Sequence, residues 1–211
     1  AASAANGLLL ADESAPIKPL LGEPPGFFGT SLNGPKPSVI EQPAIAAVEY
    51  DFFVYLPTVD SALLCASAKQ EEEIASLARS HPGQGRPTMD CHPILAQVAR
   101  ERALDMGVRD YFSHVNPDGY GPNYLVRQAG YELPSWWGTD PELNNIESIA
   151  AGYQTAADAW NGWLNSPAHR RHVLGEIDFF AEQTNYGIGY AFVPGSKYGH
   201  YWVFISAPSE E

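Results

Sequence analysis

The chain has 211 residues, enough for one well-buried domain with an appendage and short for two full domains. Charged residues amount to only 18% and aromatics to 12%, the composition of a folded globular protein and not of a disordered one. A formal charge of −13 without any run of Lys or Arg excludes nucleic acid as a partner, because phosphate binding needs clustered basic side chains. No apolar stretch approaches the length needed to cross a bilayer. The opening Ala1-Ala2-Ser3-Ala4-Ala5 lacks the basic region and apolar core of an intact signal peptide. It reads as the start of a mature secreted chain, and a cytoplasmic protein would begin this way equally well.

Composition divides the chain near residue 60 into a Pro-rich extension over 1–59 and a globular domain over 60–211. In the extension, Gly22-Glu23-Pro24-Pro25-Gly26 and Asn33-Gly34-Pro35-Lys36-Pro37 cannot be helical, since proline fixes φ and removes a donor. Tyr50-Asp51-Phe52-Phe53-Val54-Tyr55-Leu56 is apolar and β-prone, so this piece is expected to pack on the following domain. Residues before about 45 are expected to be less ordered. A helix is expected over 61–79, apolar at Leu63, Leu64, Ile74 and Leu77 and ended by His81-Pro82-Gly83. A second is expected over 93–107, where Leu95, Ala99, Ala103 and Met106 recur at helical spacing, and a short third over 122–129.

Thr155-Ala156-Ala157-Asp158 has the form of a capping box, opening a helix with Ala156, Trp160, Trp163 and Leu164 on one buried stripe. Residues 186–193 and 200–207 are aromatic and β-branched around Pro194-Gly195-Ser196-Lys197-Tyr198-Gly199, a hairpin expected at the centre of a sheet. Helices come first and strand pairing late, without βαβ alternation or internal repeat. This order points to an α+β fold with an antiparallel sheet covered by helices. Cys65 and Cys91 lack the spacing of zinc or redox sites, which leaves a single bridge or two buried thiols.

Chemistry concentrates on His114 in Tyr111-Phe112-Ser113-His114, Glu147 in Glu147-Ser148-Ile149-Ala150-Ala151-Gly152, and His169 in Asn165-Ser166-Pro167-Ala168-His169-Arg170. Two imidazoles and a carboxylate form a set that holds a divalent cation or shuttles protons. Glu147 lies in an apolar, strand-like run, so its carboxylate must be paired, hydrogen-bonded, metal-bound or protonated. Structural pairing with Arg170 is the plain alternative, and for His114 it is a loop histidine bonded to backbone. His169 follows Ser166-Pro167, read as a helix stop, which puts it at a helix–loop junction. His172 faces the same side if the helix persists, and His200 begins the last strand. The Trp136-Trp137 pair forms either a ligand-stacking rim or core. No Gly-x-Ser-x-Gly elbow accompanies Ser113, and neither a His-Glu-x-x-His helix nor a phosphate loop is present.

Over residues 60–208 the wording and order of four segments resemble the bacterial branch of the CAP superfamily, the secreted SCP-like domains related to cysteine-rich secretory proteins, insect antigen 5 and plant pathogenesis-related proteins. They are residues 106–114 with Pro117-Asp118-Gly119, the Glu147 segment, residues 162–170, and Tyr186-Gly187-Ile188-Gly189-Tyr190-Ala191. The resemblance implies a three-layer α-β-α sandwich with a central antiparallel sheet. It also implies a cleft in which His114, Glu147 and His169 converge, that in several members binds a divalent cation, commonly zinc. Secretion to the extracellular space or periplasm is implied too, and favours the bridge between the cysteines. The chain departs from the family pattern in four places. Ile146 and Ser148 replace the Gly and Asn that flank Glu147, Trp163 stands where the eukaryotic pattern has a second Glu, and His172 replaces the usual Asn.

The expectation is a monomeric binding module taking a divalent cation, zinc foremost, and a small, lipidic or cell-wall ligand. His114, Glu147 and His169 would be the metal set, and Ser113, Trp163, Trp136 and Trp137 would contact the ligand. A metal-dependent peptidase or esterase with Glu147 as general base is the alternative. A structural protein with a vestigial cleft is the third. The residues favour binding over catalysis, since a hydrolase with two His ligands wants a third protein ligand besides its base.

Overall fold

The computed structural model describes residues 9–10, 65 and 68–210. The expected boundary at residue 60 and the apolar run over 50–56 lie outside these residues. So does the start of the first expected helix, whose larger part is α1 (Lys69–Ser80). The strand pair that closes the chain is the frame. Strands β4 (Asn185–Phe192) and β5 (His200–Ala207) form the expected hairpin, turning where Gly195 and Gly199 adopt positive φ and Val193 N–H donates to Gly199 O at 2.7 Å. Strand β3 (Glu147–Ala151) pairs antiparallel with β5, and β1 (Leu9–Leu10) pairs antiparallel with β3 at one edge. At the other edge β2 (Asp90–Cys91) runs parallel to β4, in the order β1-β3-β5-β4-β2. The sheet is therefore mixed, not wholly antiparallel. A two-residue strand carries no alternation to read, so its direction is set by the chain entering the next helix.

Period-2 alternation gives the sheet two buried faces. Ile149, Val203 and Ile205 join Leu95, Ala99, Ala103 and Met106 of α2 (Pro93–Val108), with Val126 of α3 (Pro122–Gln128). Ala150, Trp202 and Phe204 join the opposite cluster, with Ile74 and Ala78 of α1, Trp160 and Trp163 of α4 (Ala156–Asn165) and Val173 of α5 (Pro167–Leu174). Helices thus cover both faces of the sheet, as the α+β reading requires.

Two glycines set the depth at which α2 lies on the sheet. A Cβ on Gly187 would sit 2.2 Å from Ala96 N, and one on Gly189 would sit 2.1 Å from the Ala99 carbonyl. No side chain fits either gap, so Gly187 and Gly189 let the helix backbone rest directly on β4. One turn beyond Ala99, the same helix face carries Arg102.

Thr155 caps α4 as expected, accepting the Asp158 N–H at 3.1 Å. Pro167 ends α4 and also opens α5, where a missing N–H is harmless, and Ser166 is the shared cap. His169 accordingly sits in the first turn of a helix and not at a helix–loop junction. A four-residue helix, α6 (Asp178–Ala181), leads into β4. Cys65 and Cys91 are joined by a disulfide, their Cα atoms 5.9 Å apart. Among the described residues no helix is long and apolar enough to cross a membrane.

Candidate functional site

Strand alternation turns Glu147 toward α2 and its neighbour Ser148 toward α5. Glu147 is 2% exposed, and its partner is not Arg170, which pairs with Glu176 at the surface, but Arg102. The guanidinium meets the carboxylate side-on: Nε donates to Oε2 at 2.9 Å and Nη2 to Oε1 at 3.0 Å. Nη2 also donates to the carbonyls of Ser113 and His114, each at 2.9 Å, and Nη1 donates to the Tyr111 hydroxyl at 2.7 Å. One buried cation therefore ties α2 to β3 and to the loop carrying His114.

His114 donates Nδ1–H to Glu147 Oε1 at 2.9 Å, since an ionised carboxylate can only accept. Burial alone would raise the Glu147 pKa, but the Arg102 charge and the hydrogen bonds from His114 and Arg102 outweigh it and hold the group down to about 2. Arg102 answers in kind. Burial opposes its charge, yet pairing with Glu147 raises its pKa further.

His169 folds back on its own helix start, its Nδ1 hydrogen-bonded to Ser166 Oγ at 2.8 Å. In the Ser-Pro-x-His wording the residue three past the N-cap position thus reaches back to the Ser166 hydroxyl, which makes no hydrogen bond to the helix backbone. The ring is buried, and its Nε2 has no hydrogen-bond partner among the described residues. Burial first, and then the proximity of His114, lower its pKa to about 4, so it is neutral at physiological pH. Of the metal set expected from sequence, His114 and Glu147 are in contact, and His169 lies within electrostatic reach of His114.

As a cation site the set fits poorly. Both Glu147 oxygens are engaged by a guanidinium that would repel an incoming ion. Among the described residues no three His, Cys, Asp or Glu side chains gather as a group able to hold a metal.

The profile of the CAP family, the cysteine-rich secretory protein family, matches residues 77–206. The chain belongs to this family. It is 25% identical over 133 residues to the uncharacterized protein YkwD of Bacillus subtilis strain 168, covering 63% of this chain and 46% of that protein. An extracellular protein containing an SCP domain from Bacillus anthracis strain Ames shares the fold at a TM-score of 0.50 and 22% identity, over 65% of this chain and 40% of that one. An outer surface protein of Borrelia burgdorferi aligns at a TM-score of 0.49 and 17% identity, over 67% of this chain and 97% of that one. The chain thus spans less than half the length of the two Bacillus relatives.

Departures from the CAP pattern now have physical content. Ser148 and His172 are partners: Ser148 Oγ meets His172 Nδ1 at 2.7 Å, and Ser206 Oγ meets Nε2 at 2.9 Å. Both ring nitrogens of this buried imidazole are satisfied, and burial drives its pKa well below the usual value. His172 is therefore a structural histidine. Trp163 is fully buried edge-on to Phe204, an apolar ring at the position aligned with the second Glu of the eukaryotic pattern. Trp137 is buried against Phe179, while Trp136 is 74% exposed. The Ser113 hydroxyl accepts the Val115 N–H, and His200 Nδ1 is bonded to the Tyr190 hydroxyl.

Arg102 is the site residue that sequence reasoning misses. Its signal is a charged residue beside Ala103, one turn beyond Ala99, on the apolar stripe of α2. An open cavity of about 480 Å³ borders it, lined by Gln97, Glu101 and Asp105 of α2, Gln128 of α3, and Asn116 and Asp118 from the loop between.

Proposed function

We propose that this CAP domain is a secreted, non-catalytic binding module that takes a small polar ligand. The observation carrying the reading is the engagement of Glu147 by Arg102 and His114. A carboxylate held down to about 2 is a weak proton acceptor at neutral pH, and one with both oxygens bonded is poorly placed to bind an ion. Both roles that a hydrolase would ask of Glu147 are therefore disfavoured by its contacts.

The cavity beside Arg102 supports a polar ligand, since amide and carboxylate side chains from two helices and a loop face it. Secretion is supported by the disulfide, which belongs in an oxidising compartment, and by the extracellular description of the Bacillus anthracis relative. A second reading, a lipidic ligand, is favoured by Trp136, exposed and edge-on to Trp137 at 5.8 Å.

Thermal-shift titration of the full chain with a soluble muropeptide and with palmitate separates the two readings. Stabilisation by the muropeptide, lost in Gln128→Ala, is the expected result. Stabilisation by palmitate alone, lost in Trp136→Ala, moves the ligand to the tryptophan rim. Zinc-dependent hydrolysis of casein or of p-nitrophenyl acetate, abolished by Glu147→Gln, sinks both readings in favour of an enzyme.

A further inference from the structure

The expected metal set and the observed contacts of Glu147 disagree, and the disagreement has a definite form. Where a divalent ion would have to bind, a guanidinium already does. Arg102 and Glu147 are each 2% exposed and meet through two hydrogen bonds of 2.9 and 3.0 Å. The same guanidinium is fastened on its other sides by the carbonyls of Ser113 and His114 and by the Tyr111 hydroxyl. It is carried by α2, whose backbone rests directly on Gly187 and Gly189 of β4.

We propose that Arg102 is the resident cation of this cleft, occupying the carboxylate that a divalent ion would need and so making the native cleft resistant to such ions. Three consequences of the geometry lead there. An incoming ion must break a bidentate, fully desolvated pair. It must do so while the displaced positive charge stays within a few ångströms, a repulsion that weakens binding by at least about tenfold even at a protein-like dielectric. The His114 Nδ1–H is already committed to the same carboxylate, so for that nitrogen to join Glu147 on an ion the bond must break and the proton leave. The inference stands whether or not the cavity takes a muropeptide.

Calorimetric titration with zinc chloride near neutral pH tests it. The samples are the full native chain, Arg102→Lys, Arg102→Gln and Arg102→Gln combined with Glu147→Gln, with circular dichroism to verify folding. Glutamine keeps a donor toward Glu147 without the charge, whereas lysine keeps the charge. The native chain and Arg102→Lys are expected to bind zinc no tighter than the millimolar range. Arg102→Gln is expected to bind at least about tenfold tighter, and the double variant to lose that gain. Micromolar binding by the native chain that disappears when His114 and His169 are both changed to Ala overturns the proposal. So does a folded Arg102→Gln chain with no gain. If Arg102→Gln does not fold, the native titration with its His114 and His169 control decides.

Discussion

Removing the Arg102 side chain strands a charged carboxylate in the core, while removing both partners leaves no unpaired charge there and costs only the neutral contacts to Tyr111, Ser113 and His114. At an effective dielectric of about 20, unit charges about 4 Å apart attract by roughly 4 kcal/mol, but desolvation of both groups offsets most of that. Arg102→Met alone should therefore cost about 3–5 kcal/mol, and Arg102→Met with Glu147→Leu distinctly less. A urea double-mutant cycle checks this, and additive losses would mean that the pair is not coupled. His169 and His172 give a separate, pH-dependent signature. A histidine whose folded pKa lies below its unfolded value takes up its proton first in the unfolded chain. Stability is then complete above about 6.5 and declines as the pH falls from there. For His169 the decline runs down to about 4 and amounts to roughly 3 kcal/mol, with His172 acting in the same direction. Glu147 is shifted in the same direction and acts with the same sign: its stabilisation is present above the ordinary carboxylate range and is lost as pH falls toward about 2. Urea midpoints should thus begin to fall near pH 6.5, well before the carboxylate titrates, and His169→Gln should flatten that first slope.

Among the elements, α2 is where fold and site are the same problem. Its stripe of Leu95, Ala99, Ala103 and Met106 was legible at helical spacing, and so were the Thr155 cap and the Gly-centred hairpin, because each is set by neighbours in sequence. What spacing could not supply was the partner across the sheet. Arg102 finds Glu147 forty-five residues away only once Gly187 and Gly189 have brought the helix backbone onto β4. The Ser148–His172 contact was hidden for the same reason, each residue reading alone as an unexplained departure from the CAP pattern. Gly189→Ala isolates this dependence. Its Cβ would overlap backbone and not a side chain that can swing away, so α2 must lift, at about 3 kcal/mol or more. Lifting α2 also draws Arg102 from Glu147. The Gly189→Ala chain should therefore lose stability in urea and show a changed His114 side-chain resonance by NMR, whereas a Thr155→Ala chain should lose only about 1 kcal/mol and leave that resonance in place.

At the scale of the whole molecule, the parallel edge is thinly supported by its own hydrogen bonds. β2 contributes two residues to the ladder, Asp90 and Cys91, too few to hold a strand by pairing alone. The disulfide supplies the missing constraint by tying Cys91 to Cys65, ahead of α1, across a sequence separation of 26. On the chain-entropy account a loop of that size stabilises by roughly 3–4 kcal/mol, because the unfolded chain loses freedom that the folded edge has already given up. Reduction should therefore lower the melting temperature by roughly 6–16 °C for a domain of this size. The Arg102–Glu147 pair depends on α2, β3 and the loop over 111–114, none of which carries a cysteine, so the site should survive reduction. Melting curves with and without reductant, alongside a thiol count and the His114 resonance, test both halves. A large drop in melting temperature with an unchanged resonance is expected. An unchanged melting temperature with two thiols released would show that hydrophobic burial alone holds the edge, and a shifted resonance would show that the sheet edge and the cleft are mechanically joined.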